Sequence, residues 1–366
     1  MRVTIGIIKG DGIGPEIVRE AVRVLDTVAK LFHHEFIYKD IDLGGVSIDL
    51  HGEPLTQENI TKAKTCDAIL MGSIGGDART SSWYQLPAHL RPEAGLLTIR
   101  QTLDLFCNLR PAILYDTLRH STPLKDHIVE GGFDVLIVRE LVGGLYFGEH
   151  IEEMVGEEAV ARDMMSYSES EVRRIAIKAF EAARLRNKKV TSVDKANVIA
   201  TSRLWRRVMD EVHLDYQDVT LEHMFVDNAA MQLVMNPKQF DVIVTENMFG
   251  DILSDEASVI AGSIGMLPSA SLNASGFGLY EPSGGSAPDI AGQNIANPIA
   301  TILSAAMMLE YSFGLKEEAK RVNEAIQAVL RDGYRTRDIY EEGNQLVGTD
   351  QMGELIAKKL HVSYET

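Results

Sequence analysis

The chain has 366 residues, 45% hydrophobic and 24% charged, enough for about two domains of ordinary size and a sizeable core. Its 36 Lys and Arg against 53 Asp and Glu give a net charge of -17, so most of the surface repels nucleic-acid phosphates and anionic lipid headgroups. Cys66 and Cys107 are too few for a disulfide framework, no apolar run reaches the ~18 residues of a membrane helix, and the N-terminus carries no charged-then-apolar leader; a cytoplasmic protein binding neither nucleic acid nor membrane is expected.

Val3 to Ile8 is a short β-branched run, and after a glycine-rich turn Pro15 opens a helix with Ile17, Val18, Ala21, Val22, Leu25 and Val28 on one face. The turn, Gly10-Asp11-Gly12-Ile13-Gly14-Pro15, is neither G-x-G-x-x-G nor a P-loop. A tight strand-to-helix turn accounts for its glycines as readily as a phosphate loop does. Strand-like runs recur at Asp67 to Met71, Phe133 to Val138, Lys189 to Val193 and Phe240 to Thr245, each apolar on both faces as in strands buried between helices. Glu149 to Tyr167 is acidic and weakly patterned and reads as an extended arm or loop. Ser168 and Glu171 form a capping box ahead of Val172, Ile175, Ala179 and Phe180, and Asn297-Pro298 opens a helix that Gly314 can close. The alternation defines an α/β fold without internal repeats.

Three features carry chemistry. Arg100, Arg110 and Arg139 lie near segment ends in an acidic chain; converging guanidinium groups would bind a dicarboxylate bidentately, and internal ion pairs are the alternative. Asp251 and Asp255, four apart, share one face of a helix expected to start near Gly250. Their repulsion is relieved by a cation between them, for which hard oxygen ligands suit Mg²⁺ or Mn²⁺; otherwise Asp251 serves the helix N-terminus and Asp255 is solvated. Asp289, in the turn-rich run Gly284 to Ile290, could accept from a ribose 2′-hydroxyl and repel a 2′-phosphate, or simply follow Pro288 in a turn.

The segments PEAGLLTIRQTLDLFCNLRP, VRELVGGLYFG, SVDKANV, FVDNAAMQL, ENMFGDILSDE and GLYEPSGGSAPDIAGQNIANP, in this order and spanning most of the chain, resemble the β-decarboxylating dehydrogenases, the family of isopropylmalate, isocitrate, homoisocitrate and tartrate dehydrogenases. The resemblance implies a two-domain open α/β sandwich of the isopropylmalate/isocitrate dehydrogenase type, not a Rossmann fold. Its first, cofactor-side domain would be 1–105 with 262–366, and its second 106–261, carrying the dimer interface and an arm at about 149–167. It implies a substrate site of Glu93, Leu96, Leu97, Arg100, Arg110, Arg139, Val198 and Asp227, with the arginines clamping the malate carboxylates. It implies metal ligands Asp251 and Asp255 from one subunit and Asp227 from its partner, Lys195 as general base reaching across a homodimer, and Tyr146 as the group that protonates the enol carbon. It implies NAD held by Ile13, Gly285, Ser286, Ala287, Pro288, Asp289, Ile290 and Asn297, with Asn297 at the adenine. Many relatives have His just before the Gly-Ser-Ala-Pro-Asp run, where this chain has glycine, so an adenine-stacking ring is not carried over.

Substrate choice within that family rests on the residues before Arg100. Leu96 and Leu97 would leave an extra carboxylate buried without a partner, at several kcal/mol, and helix-face core is the plain alternative for any two leucines. Together with Val198 from the neighbouring subunit, they fit the isopropyl group of 3-isopropylmalate. The expected reaction is oxidative decarboxylation of 3-isopropylmalate to 2-oxo-4-methylpentanoate in leucine biosynthesis. Tartrate, homoisocitrate and thioether malates, or a non-catalytic regulatory paralogue, are the alternatives.

Overall fold

A computed structural model of the chain describes residues 1–362; positions 363–366, the end of the expected first domain, lie outside the described residues. Contacts divide the chain into two compact units, Met1–Leu105 with Gly262–Thr366, and Phe106–Ala261.

In the first unit the strands run in the order Glu35–Asp40, Arg2–Gly10, Ala68–Ser73, Gly278–Pro282, Pro268–Leu272. The first four are mutually parallel and the last is antiparallel to its neighbour. Ala68–Ser73 is buried at every position, as a strand covered on both sides must be. The helix Gly14–Phe32 has Pro15 in its first turn and buries Ile17, Val18, Ala21, Val24, Leu25 and Val28; Val24, rather than Val22, completes its apolar face. Ile299–Tyr311 packs against the sheet, with Asn297 Oδ1 accepting from the Ile299 N–H at 3.0 Å. That helix ends at Tyr311, ahead of Gly314, whose φ of 68° takes the chain onward.

Backbone packing accounts for the glycine at position 12 of the Gly10–Gly14 turn. Gly12 has φ 56°, and a Cβ there would stand 2.0 Å from the Ser286 carbonyl oxygen. The Ile13 N–H donates to that same oxygen at 2.8 Å. Asp11 ties the turn down from inside, its carboxylate accepting from the N–H groups of Gly45, Val46 and Gly75 at 2.8 to 2.9 Å.

In the second unit the order is Cys107–Leu114, Phe133–Glu140, Val242–Thr245, Lys189–Asp194, Thr220–Phe225, antiparallel for the first pair and parallel thereafter. Helix Glu169–Arg184 starts with the capping box formed by Ser168 and Glu171 and buries Val172, Ile175, Ala179 and Phe180. The weakly patterned arm is a two-stranded antiparallel hairpin, His150–Val155 and Glu158–Asp163, almost wholly exposed. Helix Asn247–Ile260 begins three residues earlier than expected, because Glu246 caps it by accepting from the Met248 and Phe249 N–H groups. Asp251 therefore lies in the second turn and is not a helix-terminal residue.

Candidate active site

Strand pairing in the second unit assembles the main cluster. Asn108 stands opposite Arg139 across the antiparallel pair, and Arg110 two residues on shares their face. Arg139 is 2% exposed, its stem lying over the helix Asn247–Ile260 at Gly250, where a Cβ would come within 2.5 Å of the Arg139 Cγ. Its Nη1 donates to Asp251 Oδ1 at 2.6 Å, while Nε and Nη2 donate to Asn247 Oδ1 at 3.1 and 2.8 Å. Arg110 donates from Nε to Asn108 Oδ1 at 2.9 Å and from Nη1 to Ser254 Oγ at 2.7 Å and Asp255 Oδ1 at 3.3 Å; its Nη2 is 3.8 Å from Asp251 Oδ1. Tyr146 donates to the other Asp251 oxygen at 3.0 Å.

The electrostatics follow from that packing. The Tyr146 phenol is pushed up to about 12, chiefly by burial and then by the Asp251 charge, so it remains a proton donor at neutral pH. Partial desolvation also raises the carboxyl of the largely exposed Asp255, with Arg110 opposing the shift and Asp251 adding to it. Arg110, Arg139, Tyr146, Asp251 and Asp255 are thus brought together, with the cations relieving the carboxylate repulsion.

Lys195 and Asp227, in the same unit, meet each other instead, Nζ to Oδ1 at 2.6 Å, and neither bonds to that cluster. The Lys195 hydrogen bond holds the Asp227 carboxyl below the usual range. Among the described residues no group of three metal-binding side chains forms within the chain. Asp251 and Asp255, hard oxygen donors one helical turn apart, fit two positions of a divalent-cation site. Val198 is 63% exposed.

In the first unit, helix Pro92–Thr102 separates the two leucines expected to act together. Leu96 is partly buried and packs with Ile99 and Leu103 against the apolar core, whereas Leu97 lies outside that cluster and on the same helix face as Arg100. Arg100 is buried and pairs with Glu281 at 2.7 Å, leaving Arg100 Nε and Glu281 Oε2 without partners. Glu93 accepts from the Tyr84 hydroxyl.

A cavity of about 670 Å³ in the same unit is lined by Ile13, Gly285, Ala287, Asp289, Ile290 and Asn297, and also by Arg337 and Asp338. Ser286 and Pro288 are not part of its wall: Ser286 is buried and holds Ile13 through its carbonyl, and Pro288 is exposed. Apolar walls with a carboxylate at Asp289 fit an adenosine moiety. The Asn297 amide is committed, donating to Asp338 Oδ2 at 3.0 Å, which also accepts from Ser263 Oγ at 2.6 Å. Sequence reasoning missed Asp338 and Asn247, since each acts on a partner remote in the chain.

The isocitrate/isopropylmalate dehydrogenase family model matches residues 4–356. A 3-isopropylmalate dehydrogenase of Halalkalibacterium halodurans is 54% identical over 100% of this chain and 99% of its own length. One from Oleidesulfovibrio alaskensis is 56% identical over 98% of this chain and 100% of its own. The crystal structure of isocitrate dehydrogenase from Methylococcus capsulatus matches with a TM-score of 0.85 at 33% identity, covering 98% of this chain and 100% of that one. Fold and site define a decarboxylating dehydrogenase, an oxidoreductase class that works with a nucleotide and a divalent metal. The chain belongs to the isocitrate/isopropylmalate dehydrogenase family.

Proposed function

We propose that the chain oxidises and decarboxylates 3-isopropylmalate to 2-oxo-4-methylpentanoate in leucine biosynthesis, using NAD and Mg²⁺ or Mn²⁺. The observation that carries this reading is the convergence of Arg110, Arg139 and Tyr146 on the carboxylates of Asp251 and Asp255. Two guanidinium groups supply a bidentate carboxylate clamp, and a phenol still protonated at neutral pH can deliver a proton to the enol carbon after CO₂ leaves.

Asp251 and Asp255 would hold the divalent ion, which when bound supplies Lewis-acid polarisation of the C2 oxygen. Lys195 takes the C2 hydroxyl proton as hydride departs. In the lone chain its Nζ is tied to Asp227 at 2.6 Å; in a dimer, Asp227 of one subunit would join Asp251 and Asp255 of the other as a further ligand of the divalent ion and release Lys195. A homodimer agrees with the exposed apolar side chains of helices Val226–Met235 and Asn247–Ile260, among them Met231, Met235, Ile252 and Val259, and with a hairpin that has no partner to cover it. On the family resemblance Leu96, Leu97, Arg100 and Val198 are the further substrate contacts, and Asp289 selects NAD through the ribose.

The test is NADH absorbance with purified protein and Mg²⁺, offering 3-isopropylmalate or isocitrate with NAD or NADP. NAD-dependent turnover of 3-isopropylmalate, abolished by a chelator, is expected. Turnover of isocitrate alone would overturn the assignment of Leu97 and Val198, and preference for NADP that of Asp289.

A further inference from the structure

Asn247 is 1% exposed, and all four hydrogen-bonding positions of its side-chain amide are used. Oδ1 accepts from Arg139 Nε and Nη2, while Nδ2 donates to the Leu141 and Gly143 carbonyls, both at 3.0 Å. Those carbonyls belong to the turn that leads from the end of strand Phe133–Glu140 to Tyr146, and the turn's own N–H groups at Val142 and Gly143 donate to the Glu140 carboxylate. From the helix side, the Asn247 N–H donates to the Tyr167 hydroxyl at 3.0 Å. One side chain, a single helical turn before Asp251, thus grips both the guanidinium and the turn carrying the phenol.

We propose that Asn247 is a positioning residue for the oxidative decarboxylation, acting on substrate through Arg139 and on proton delivery through the turn at 141–143; this rests on the roles proposed above for Arg139 and Tyr146. A second ligand on the Asp251 oxygen that holds Arg139 Nη1 competes for its lone pairs and weakens that bond. The two bonds to Asn247 do not depend on Asp251 and keep the plane of the guanidinium fixed, so that a substrate carboxylate can compete for Nη1. Only an amide of this length meets the set: aspartate would present acceptors to two carbonyls, and serine or alanine cannot span from guanidinium to turn.

The two grips separate by substitution. Asn247→Asp keeps an acceptor for Arg139 but loses both donors, so kcat with 3-isopropylmalate, NAD and Mg²⁺ is expected to fall about 10- to 100-fold while KM stays within about threefold. Asn247→Ala loses both grips and raises KM about 10- to 100-fold as well. In an Arg139→Lys background the Ala change should raise KM by less than about threefold, because the partner it acts on is gone. This cycle stands even if the Asp variant does not fold. NAD affinity should not move. Unchanged KM and kcat in Asn247→Ala, or additive KM effects in the cycle, overturns the proposal. Should the wild-type chain turn over no malate, the functional reading fails separately, and amide hydrogen exchange decides for Asn247: faster exchange at 142–147 in the Ala variant supports the anchoring, and unchanged exchange overturns it.

Discussion

Arg139 and Asp251 share a 2.6 Å hydrogen bond between a guanidinium that is almost fully buried and a carboxylate that is one-third exposed. Asp251 also receives the Tyr146 hydroxyl, so one carboxylate holds a guanidinium and a phenol together.

Asp251 and Asp255 should therefore separate in their structural weight. Asp251→Asn leaves Arg139 short of its counter-ion, and a loss of about 1 to 3 kcal/mol is expected, below the figure for a fully buried pair because the carboxylate is partly solvated. Asp255 is 62% exposed and meets Arg110 at 3.3 Å, so Asp255→Asn should change stability by no more than about 0.5 kcal/mol. Both should lower turnover on the order of a hundredfold or more, if both ligate the divalent ion. Urea melts beside NADH assays check this; equal stability losses would remove the special place of Asp251.

Glu140 makes a prediction about pH. It is fully buried at the end of strand Phe133–Glu140, and burial pushes its carboxyl up to about 7, against the Val142 and Gly143 N–H groups and Arg174, which pull it down. A folded-state value above the unfolded one means that the folded chain binds the proton more tightly. This contribution is therefore fully present below the ordinary carboxylate range and is lost as pH rises toward 7. It amounts to a few kcal/mol, at about 1.4 kcal/mol per unit. Carboxylates with lowered values, such as Asp218 and Glu211, act in the opposite sense. The difference in unfolding free energy between the wild type and Glu140→Gln, followed from pH 5 to 7.5, isolates the Glu140 share. A flat difference would show that its hydrogen bonds outweigh burial.

Much of this site is legible in the sequence because it is local. The four-residue spacing of Asp251 and Asp255 becomes adjacency through helix geometry alone, and the continuous apolar run along Phe133–Glu140 brings Arg139 to the end of a buried strand. Leu96, Ile99 and Leu103 recur at i, i+3 and i+7, the core spacing, so periodicity alone anticipates the partly buried packing of Leu96, while Leu97 and Arg100 share the adjacent face. Asn247 and Asp338 were out of reach for a different reason. Their partners lie 108 and 41 positions away, distances that only tertiary packing closes. The strands of the exposed hairpin leave no pattern in the sequence, because neither face is buried and no apolar alternation is required of them.

Asp338 should matter to the cofactor and to nothing else in the reaction. It accepts from Ser263, Asn297 and Thr336 at the wall of the cavity, so Asp338→Ala frees the Asn297 amide without touching any arginine of the cluster. KM for NAD should rise about tenfold with kcat nearly unchanged, as expected when one hydrogen bond to a charged group is lost. A comparable fall in kcat would place Asp338 in the reaction itself.

Gly250 supplies the last test, because its role is to have no side chain. The Arg139 stem crosses the helix where a Cβ would sit 2.5 Å from Cγ and 2.8 Å from Cβ of Arg139. Gly250→Ala should therefore bring two opposed effects on stability. Alanine favours the helix by about 1 kcal/mol, and overpacking against a buried side chain costs about 1 to 3 kcal/mol. A modest net loss is expected. The functional effect is unopposed: displacing the stem swings the guanidinium away from Asn247 and Asp251, so KM for 3-isopropylmalate should rise by more than about tenfold while NAD binding is unaffected. Calorimetric titration with each ligand distinguishes the outcomes. Equal weakening of both would mean that the helix itself had moved, and unchanged substrate affinity would mean that the position of Arg139 does not set it.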